Sequence, residues 1–278
     1  MRLYLNNNPD QFLKNLDRYH FEQVQNKFCK WIVGVNRYTS NSASRAELGV
    51  YPLLLYIIRH SFDYMKNLKK STNPLLQKAL IVDSILNEKT SSSKIIQKVV
   101  DYIQEQKGNT DIDSATLCKL LKEDFENKFF KSLSSDVRLN VNQKNKLRTY
   151  RHFKTEYSYE PYLDIIKSRT IRSTYARFRL SNHQLMIEKG RHLGLPSEKR
   201  LCPFGCNEVE DEFHFFAKCT LNHNIRSKFT NEVFDTNHSI SFSDFCDCIS
   251  SSDENLILKS ALYVRDSFLT RRDALQKR

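Results

Sequence analysis

Four residues in the last third of the chain have the type and spacing that bind a metal ion. Cys202, Cys206, His214 and Cys219 stand as C-x3-C-x7-H-x4-C, with Pro203 and Gly205 inside the first gap to let the backbone turn sharply. Three thiolates and one imidazole make a soft, closed shell that suits tetrahedral zinc and leaves no position for water or substrate. The chemistry expected is therefore structural zinc, a fastener and not a catalyst. The competing reading, buried thiols and a loop histidine, must account for four ligands arriving in order around a Pro-Gly turn. The whole chain has seven cysteines, an odd number. Three of them clustered with a histidine fit metal binding in a reducing compartment better than a disulfide framework. Cys29, Cys118, Cys246 and Cys248 have no comparable partners and read as core or surface thiols.

The elements that must position these ligands are short. A helix over Asp211 to Lys218 would place His214 and Cys219 about one and a half turns apart, near enough to face one ion, with Asp211 capping its start. Between the first and last ligand, Glu208, Glu210, Asp211 and Glu212 face only Lys218, so the module by itself is a poor phosphate binder. Phe204, Phe213, Phe215 and Phe216 leave two roles open. They could stack on bases, as aromatics do in single-strand binders. A module this small also needs aromatic side chains for its own core, and that role is favoured for at least two of the four.

A second chemistry is carried by charge. The chain is 278 residues long with a net charge of +12, and Lys144 to Arg200 holds 14 Lys or Arg against 5 Asp or Glu, a local net of +9. Lys144, Lys146, Arg148, Arg151 and Lys154 alternate with Tyr150, His152 and Phe153, while Arg169, Arg172, Arg177 and Arg179 accompany Tyr175 and Phe178. Cations supply salt-sensitive phosphate affinity, and guanidinium planes and rings can stack on unpaired bases, so the mixture favours RNA, with DNA as a second possibility. The opposing reading is a set of solvated helix faces paired with Glu156, Glu160, Asp164 and Glu188, which are too few to neutralise every cation.

The rest of the chain reads as helix. Only 6 Gly and 6 Pro interrupt it, and apolar residues recur at helical spacing. A helix from Phe21 should stop near Gly34. Pro52 begins a second whose stripe is Leu54, Ile57, Ile58, Phe62, Met65 and Leu68. Asn73-Pro74 is a capped start, and Ile95, Ile96, Val99, Val100 and Ile103 form a stripe that Gly108 ends. Leu117, Leu120, Leu121, Phe125 and Phe129 form another, finishing before Ser132 to Ser135. From Asp253 onward Ile257, Ala261, Val264 and Phe268 share a face, and Arg271, Arg272, Lys277 and Arg278 suit a helix C-terminus. The fold class expected is mainly α: a bundle-like helical region over 1–135, a basic helical region over 136–200, and a Cys-Cys-His-Cys zinc module with C-terminal helices over 201–278. No apolar run approaches the roughly 20 residues of a membrane helix, and the first residues lack a signal core. A soluble intracellular protein of nucleus or cytoplasm is expected, without membrane or small-molecule partners.

Three stretches resemble the region that follows the polymerase in animal non-LTR (LINE-type) retrotransposon reverse transcriptases. They are KFCKWIVGVNRYTSNSASRAELGVYPL (Lys27 to Leu53), LRTYRHFKTEYSYEPYLDIIKSRTIRSTYARFRLSNHQLMIEKGR (Leu147 to Arg191) and RLCPFGCNEVEDEFHFFAKC (Arg200 to Cys219). Their order and separation make the combination specific. The resemblance implies metal ligands at Cys202, Cys206, His214 and Cys219, and RNA contacts at Arg148, Arg151, Arg177, Arg179, His183 and Arg191. It also implies a role in holding element RNA and template beside an upstream polymerase domain. Two departures stand out. The chain has no adjacent Asp-Asp pair of a polymerase palm and no room for polymerase and endonuclease domains, so a non-enzymatic role is expected. Gly205 makes three residues between the first two cysteines where many relatives have two. Phosphate-cradling loops, open metal positions with a neighbouring base, and the H-x-E…P-C-x-x-C order of zinc deaminases are all missing from the sequence. The alternative is a zinc-stabilised helical protein-interaction module, or an inactive retroelement remnant.

Overall fold

The computed structural model describes residues 19–86, 92–107, 113–134, 146–234 and 238–277. Lys144, Gly108, Ser135 and Arg278 lie outside the described residues. Among the described residues the chain is helical, with no strand and two isolated antiparallel bridges, Leu48 with Tyr159 and Leu201 with Val209. None of these helices is long and apolar enough to cross a membrane.

Contacts divide the chain into two compact units: Met1–Asn26 with Tyr51–Lys128, and Lys27–Val50 with Phe129–Arg278. Where the sequence suggested segments 1–135, 136–200 and 201–278, the basic region and the cysteine segment fall in one unit, joined by Lys27–Val50. Periodicity identifies helices but does not say which of them share a core.

In the first unit, helices Leu53–Lys70, Pro74–Ile85 and Ser92–Lys107 pack on one another. Leu54, Leu55, Ile58, Met65 and Leu68 are buried along the first of these, and Ile96, Val99 and Val100 along the third. The start of Leu53–Lys70 is capped from elsewhere: buried Glu22 accepts the Leu54 N–H at 2.8 Å, putting a carboxylate at the positive helix end. Asn73 caps Pro74–Ile85 by accepting from Leu75 N at 2.9 Å, yet that helix has no buried residue.

The second unit is built on aromatic rings. Phe178 touches Phe215, Phe216, Phe245 and Phe268, and Phe216 is held edge-on by Tyr263 and Phe229. The final helix, Glu254–Gln276, is capped by Asp253 and packs on Arg169–Arg179, His223–Val233 and Phe242–Ser250. Ile257, Ala261 and Val264 are buried on its expected face.

Buried ion pairs tie distant segments of this unit together. Arg179 is sandwiched between the rings of Phe153 and Tyr162 (4.9 Å to each centroid) and meets Glu47 at 3.0 and 3.2 Å and Glu160 at 2.7 Å. Glu160 also pairs with buried Lys154, and the Tyr162 hydroxyl donates to Glu47 at 2.7 Å. Burial alone would raise the Glu47 carboxyl, but the Arg179 guanidinium overrides it and holds the group below its ordinary value. A carboxylate depressed in the folded state adds stability above its unfolded pKa of about 4.3 and loses it as pH falls towards the folded value. Glu47→Gln is therefore expected to be less stable than the parent near pH 7, with the gap narrowing as pH is lowered to about 3. Urea unfolding at the two pH values checks this, and a gap independent of pH would refute it.

Candidate metal centre and cationic surface

The ligand atoms of Cys202, Cys206, His214 and Cys219 all lie within 4.8 Å of one another. Cys219 Sγ is 3.8 Å from Cys202 Sγ and 4.0 Å from Cys206 Sγ, and all three cysteines are free. These separations far exceed a disulfide bond of about 2.05 Å. They match the edge of a tetrahedron around zinc, where Zn–S bonds of about 2.3 Å put the sulfurs about 3.8 Å apart. His214 is buried with its Nε2 lacking a well-formed hydrogen bond, while Nδ1 lies 3.3 Å from Glu208 Oε2. A ring nitrogen without a hydrogen-bond partner, on a histidine clustered with three sulfurs and with its other nitrogen beside a carboxylate, is what a metal-binding histidine requires. Glu208, also 3.2 Å from Lys218 Nζ, read in the sequence only as acidic charge. The cluster can hold a metal ion.

Local backbone geometry explains how these residues meet. Gly205 has φ +81°, and Asn207 follows at +57°, so the loop between the first two cysteines uses left-handed conformations that glycine and asparagine tolerate. A Cβ at Gly205 would meet nothing within 4 Å, so backbone conformation and not crowding requires the glycine. The loop closes with Cys202 N donating to Glu208 O at 2.8 Å. On the other side, Asp211 Oδ1 accepts from His214 N at 2.7 Å, the cap expected of it. The following turn, His214–Lys218, is π-helical, with Cys219 N donating to His214 O at 2.8 Å. An α-helix turns about 100° per residue, which leaves positions five apart about 140° out of line. Closing the turn over five residues brings His214 and Cys219 to one side.

Crowding is written into the thiols. Hydrogen-bonded to Cys219 and partly buried, Cys202 is pushed up to about 12, whereas Cys219 is drawn down by the Cys202 thiol. Three thiols this close cannot all ionise without a cation among them, and a divalent ion supplies one.

Two of the four acidic residues of this segment lie inside it, while Glu208 stays exposed. Glu210 is buried, accepts from Met186 N at 2.6 Å and pairs with Arg271 at 2.7 and 2.8 Å. Glu212 is buried between Arg148 at 2.7 Å, Ser181 at 2.8 Å and His183 at 2.9 Å. Arg271, expected to suit the helix C-terminus, also clamps the final helix to the cysteine segment. Phe215 and Phe216 are core, as anticipated for at least two of the four phenylalanines.

The structure sorts the candidate nucleic-acid residues by what their side chains meet. Arg148, Lys154, Arg179 and His183 face inward, their charges or ring nitrogens engaged by Glu188 and Glu212, by Glu160, by Glu47 and Glu160, and by Glu212 respectively. The expectation that they meet phosphates is corrected for these side chains: carboxylates remote in sequence reach them first. Arg172 donates to Leu163 O and Ile166 O, and Arg191 lies 3.4 Å from Glu188. Lys146, Arg151, Arg169 and Arg177 retain solvent access. Three of these four converge on one stretch. Lys146 Nζ is 3.4 Å from Tyr38 O, Arg177 Nε is 3.0 Å from Gly34 O, and the Arg169 guanidinium lies 5.3 Å from the Trp31 ring centroid. Lys30 and Arg37 sit in the same stretch, Lys30 Nζ donating to Arg37 O at 2.8 Å. Sequence reasoning missed Lys30, Trp31, Arg37 and Tyr38, although Lys27 to Leu53 had been singled out for its resemblance.

Searches of protein-family models, curated proteins and solved structures found no match to this chain.

Proposed function

We propose that this chain is a non-catalytic nucleic-acid-binding region, RNA being its first partner, fastened by one structural zinc ion and derived from the segment that follows the polymerase of a LINE-type retrotransposon protein. The observation that carries the reading is the convergence of Lys146, Arg169 and Arg177 with Lys30 and Arg37 around residues 30–38. Cations gathered on one solvent-facing stretch displace counterions when a polynucleotide binds, and this gives affinity independent of base sequence. Zinc is favoured by the ligand chemistry: three thiolates and an imidazole at tetrahedral spacing suit it, and a full shell leaves no place for a reacting water. Zinc here would hold the segment that buries Glu210 and Glu212, whose arginine partners Arg271 and Arg148 lie in other parts of the same unit.

A salt series with a labelled RNA tests the reading. Affinity is expected to fall steeply as salt rises, and changing Lys146, Arg169 and Arg177 together to Ala should lower it about tenfold or more and flatten the salt slope by about two to three. Weak binding that is flat with salt and indifferent to the triple change would overturn it. A second reading rests on helix Pro74–Ile85: Leu75, Ile81, Val82 and Ile85 are exposed there, as on a surface that docks another protein, such as an upstream polymerase domain.

A further inference from the structure

Helix His20–Val33 shows an inverted pattern. It buries Glu22, Gln25, Asn26, Cys29 and Val33, while Phe28 and Trp31 are 57% and 61% exposed. Tyr38, beyond the turn at Gly34, is 67% exposed. Phe28 and Trp31 lie nearly parallel, with ring centroids 6.0 Å apart and planes 22° apart. Two arginines lie over these rings: Arg169 over Trp31 at 5.3 Å and Arg37 over Tyr38 at 4.7 Å. Gly34 holds the turn at φ +81°, and its carbonyl receives Arg177.

We propose that Phe28, Trp31 and Tyr38, flanked by Arg37 and Arg169, form a stacking platform for unpaired bases, so that the polynucleotide recognised is single-stranded; this rests on the nucleic-acid reading above. Scattered exposed aromatics need no partner, but rings set among cations match both halves of a nucleotide. Base faces stack on rings and guanidinium planes, and the adjoining phosphates are met by Lys146 and Arg177. Those two cations hydrogen-bond to backbone carbonyls, in contrast to Arg148, Arg179 and Arg271, whose charges meet carboxylates. Arg177 is thus left for a polyanion, and Lys146, which feels the Glu188 carboxylate without an ion pair to it, keeps its ammonium beside the Tyr38 carbonyl. A protein docking face would be expected to offset that charge, whereas a duplex keeps its base faces inside the stack and cannot reach the rings.

Trp31 is the sole tryptophan of the chain, so intrinsic fluorescence reports on this one place. The full chain is titrated at low salt with an oligouridylate and with an RNA duplex of the same length, and affinities are read separately from labelled strands. The single strand is expected to quench Trp31 and the duplex to leave it unchanged. Trp31→Ala should lower single-strand affinity about tenfold with little effect on duplex affinity, and Trp31→Tyr should restore most of the loss. Because the side chain faces solvent, both variants should fold, which circular dichroism checks. Single-strand binding that leaves the fluorescence and the Trp31→Ala affinity unchanged overturns the platform while sparing the nucleic-acid reading. So does quenching by duplex as strong as by single strand, or a signal that follows protein concentration alone, which marks a second copy on the patch. Failure of both RNAs to bind overturns the nucleic-acid reading and the platform with it.

Discussion

Replacing Cys219 by serine is expected to release the metal and open the cysteine segment of the second unit. Cys219 Sγ lies 3.8 and 4.0 Å from the other two sulfurs, and the residue is almost fully buried and supplies the amide that closes the π turn. Its carbonyl also receives Arg226 at 2.8 Å. A structural zinc site contributes an apparent 10–16 kcal/mol in zinc-finger peptides, about as much as the whole net stability of a typical domain. Here a ring-rich core continues beyond the site, so loss of the ion should open the stretch around Cys202, Cys206 and His214 before the unit unfolds. Expected results are less than about one-tenth of the parent's metal content, a melting temperature lower by on the order of 10 °C, and faster hydrogen exchange at the amides of Cys202, Glu210 and Cys219. Cys246→Ser, at a half-buried cysteine outside the cluster, should change none of these. Full metal content and parental exchange in Cys219→Ser would contradict the account.

Arg148→Ala should cost stability rather than RNA affinity. Its guanidinium reaches both oxygens of Glu212 and one of Glu188 at 2.7 Å, with the arginine side chain 15% exposed and both carboxylates nearly inaccessible. Truncation strands two buried carboxylates, and breaking such a pair typically costs about 3–5 kcal/mol. Combining Arg148→Met with Glu212→Gln should cost less than Arg148→Ala alone, because the second change removes one of the stranded charges. Chemical unfolding of the parent, the single and the double variant checks this. At a temperature where the single variant remains folded, its RNA affinity should stay within about twofold of the parent's. An unchanged melting point with a large loss of RNA affinity would restore Arg148 as a phosphate contact, as the family resemblance implied.

These two residues also mark what the sequence could and could not disclose. The Cys-Cys-His-Cys cluster was legible because all four residues fall within 18 consecutive positions, from Cys202 to Cys219, and the chemistry of sulfur and imidazole leaves few alternative uses for them. Helix starts were legible for the same local reason: Asn73 and Asp253 each cap the helix they precede. The π turn was not, since a preference for five-residue closure has no residue signature. The fate of the arginines was hidden by distance along the chain. Glu47 is 132 residues from Arg179, Glu212 is 64 from Arg148, and Glu210 is 61 from Arg271. Arginines interleaved with rings look alike whether they face a polynucleotide or sit, like Arg179, between Phe153 and Tyr162 inside the core. For Trp31 the difficulty ran the other way. Aromatics at helical spacing usually mean core, yet here buried Glu22, Gln25 and Asn26 take the inner side of the same helix.

The three resembling stretches are joined to one another by buried ion pairs. Glu47 in the first meets Arg179 in the second, and Arg148 in the second meets Glu212 in the third. Ion pairs joining all three give a physical reason for their occurring in one chain, independent of any RNA.

X-ray absorption at the zinc edge of the purified full chain decides whether the cysteine cluster is a zinc centre. One zinc per chain is expected, with three sulfurs at about 2.3 Å and one nitrogen at about 2.0–2.1 Å. A spectrum fitted by oxygen or mixed adventitious ligands, or a folded protein prepared under reducing conditions with no zinc at all, would contradict it.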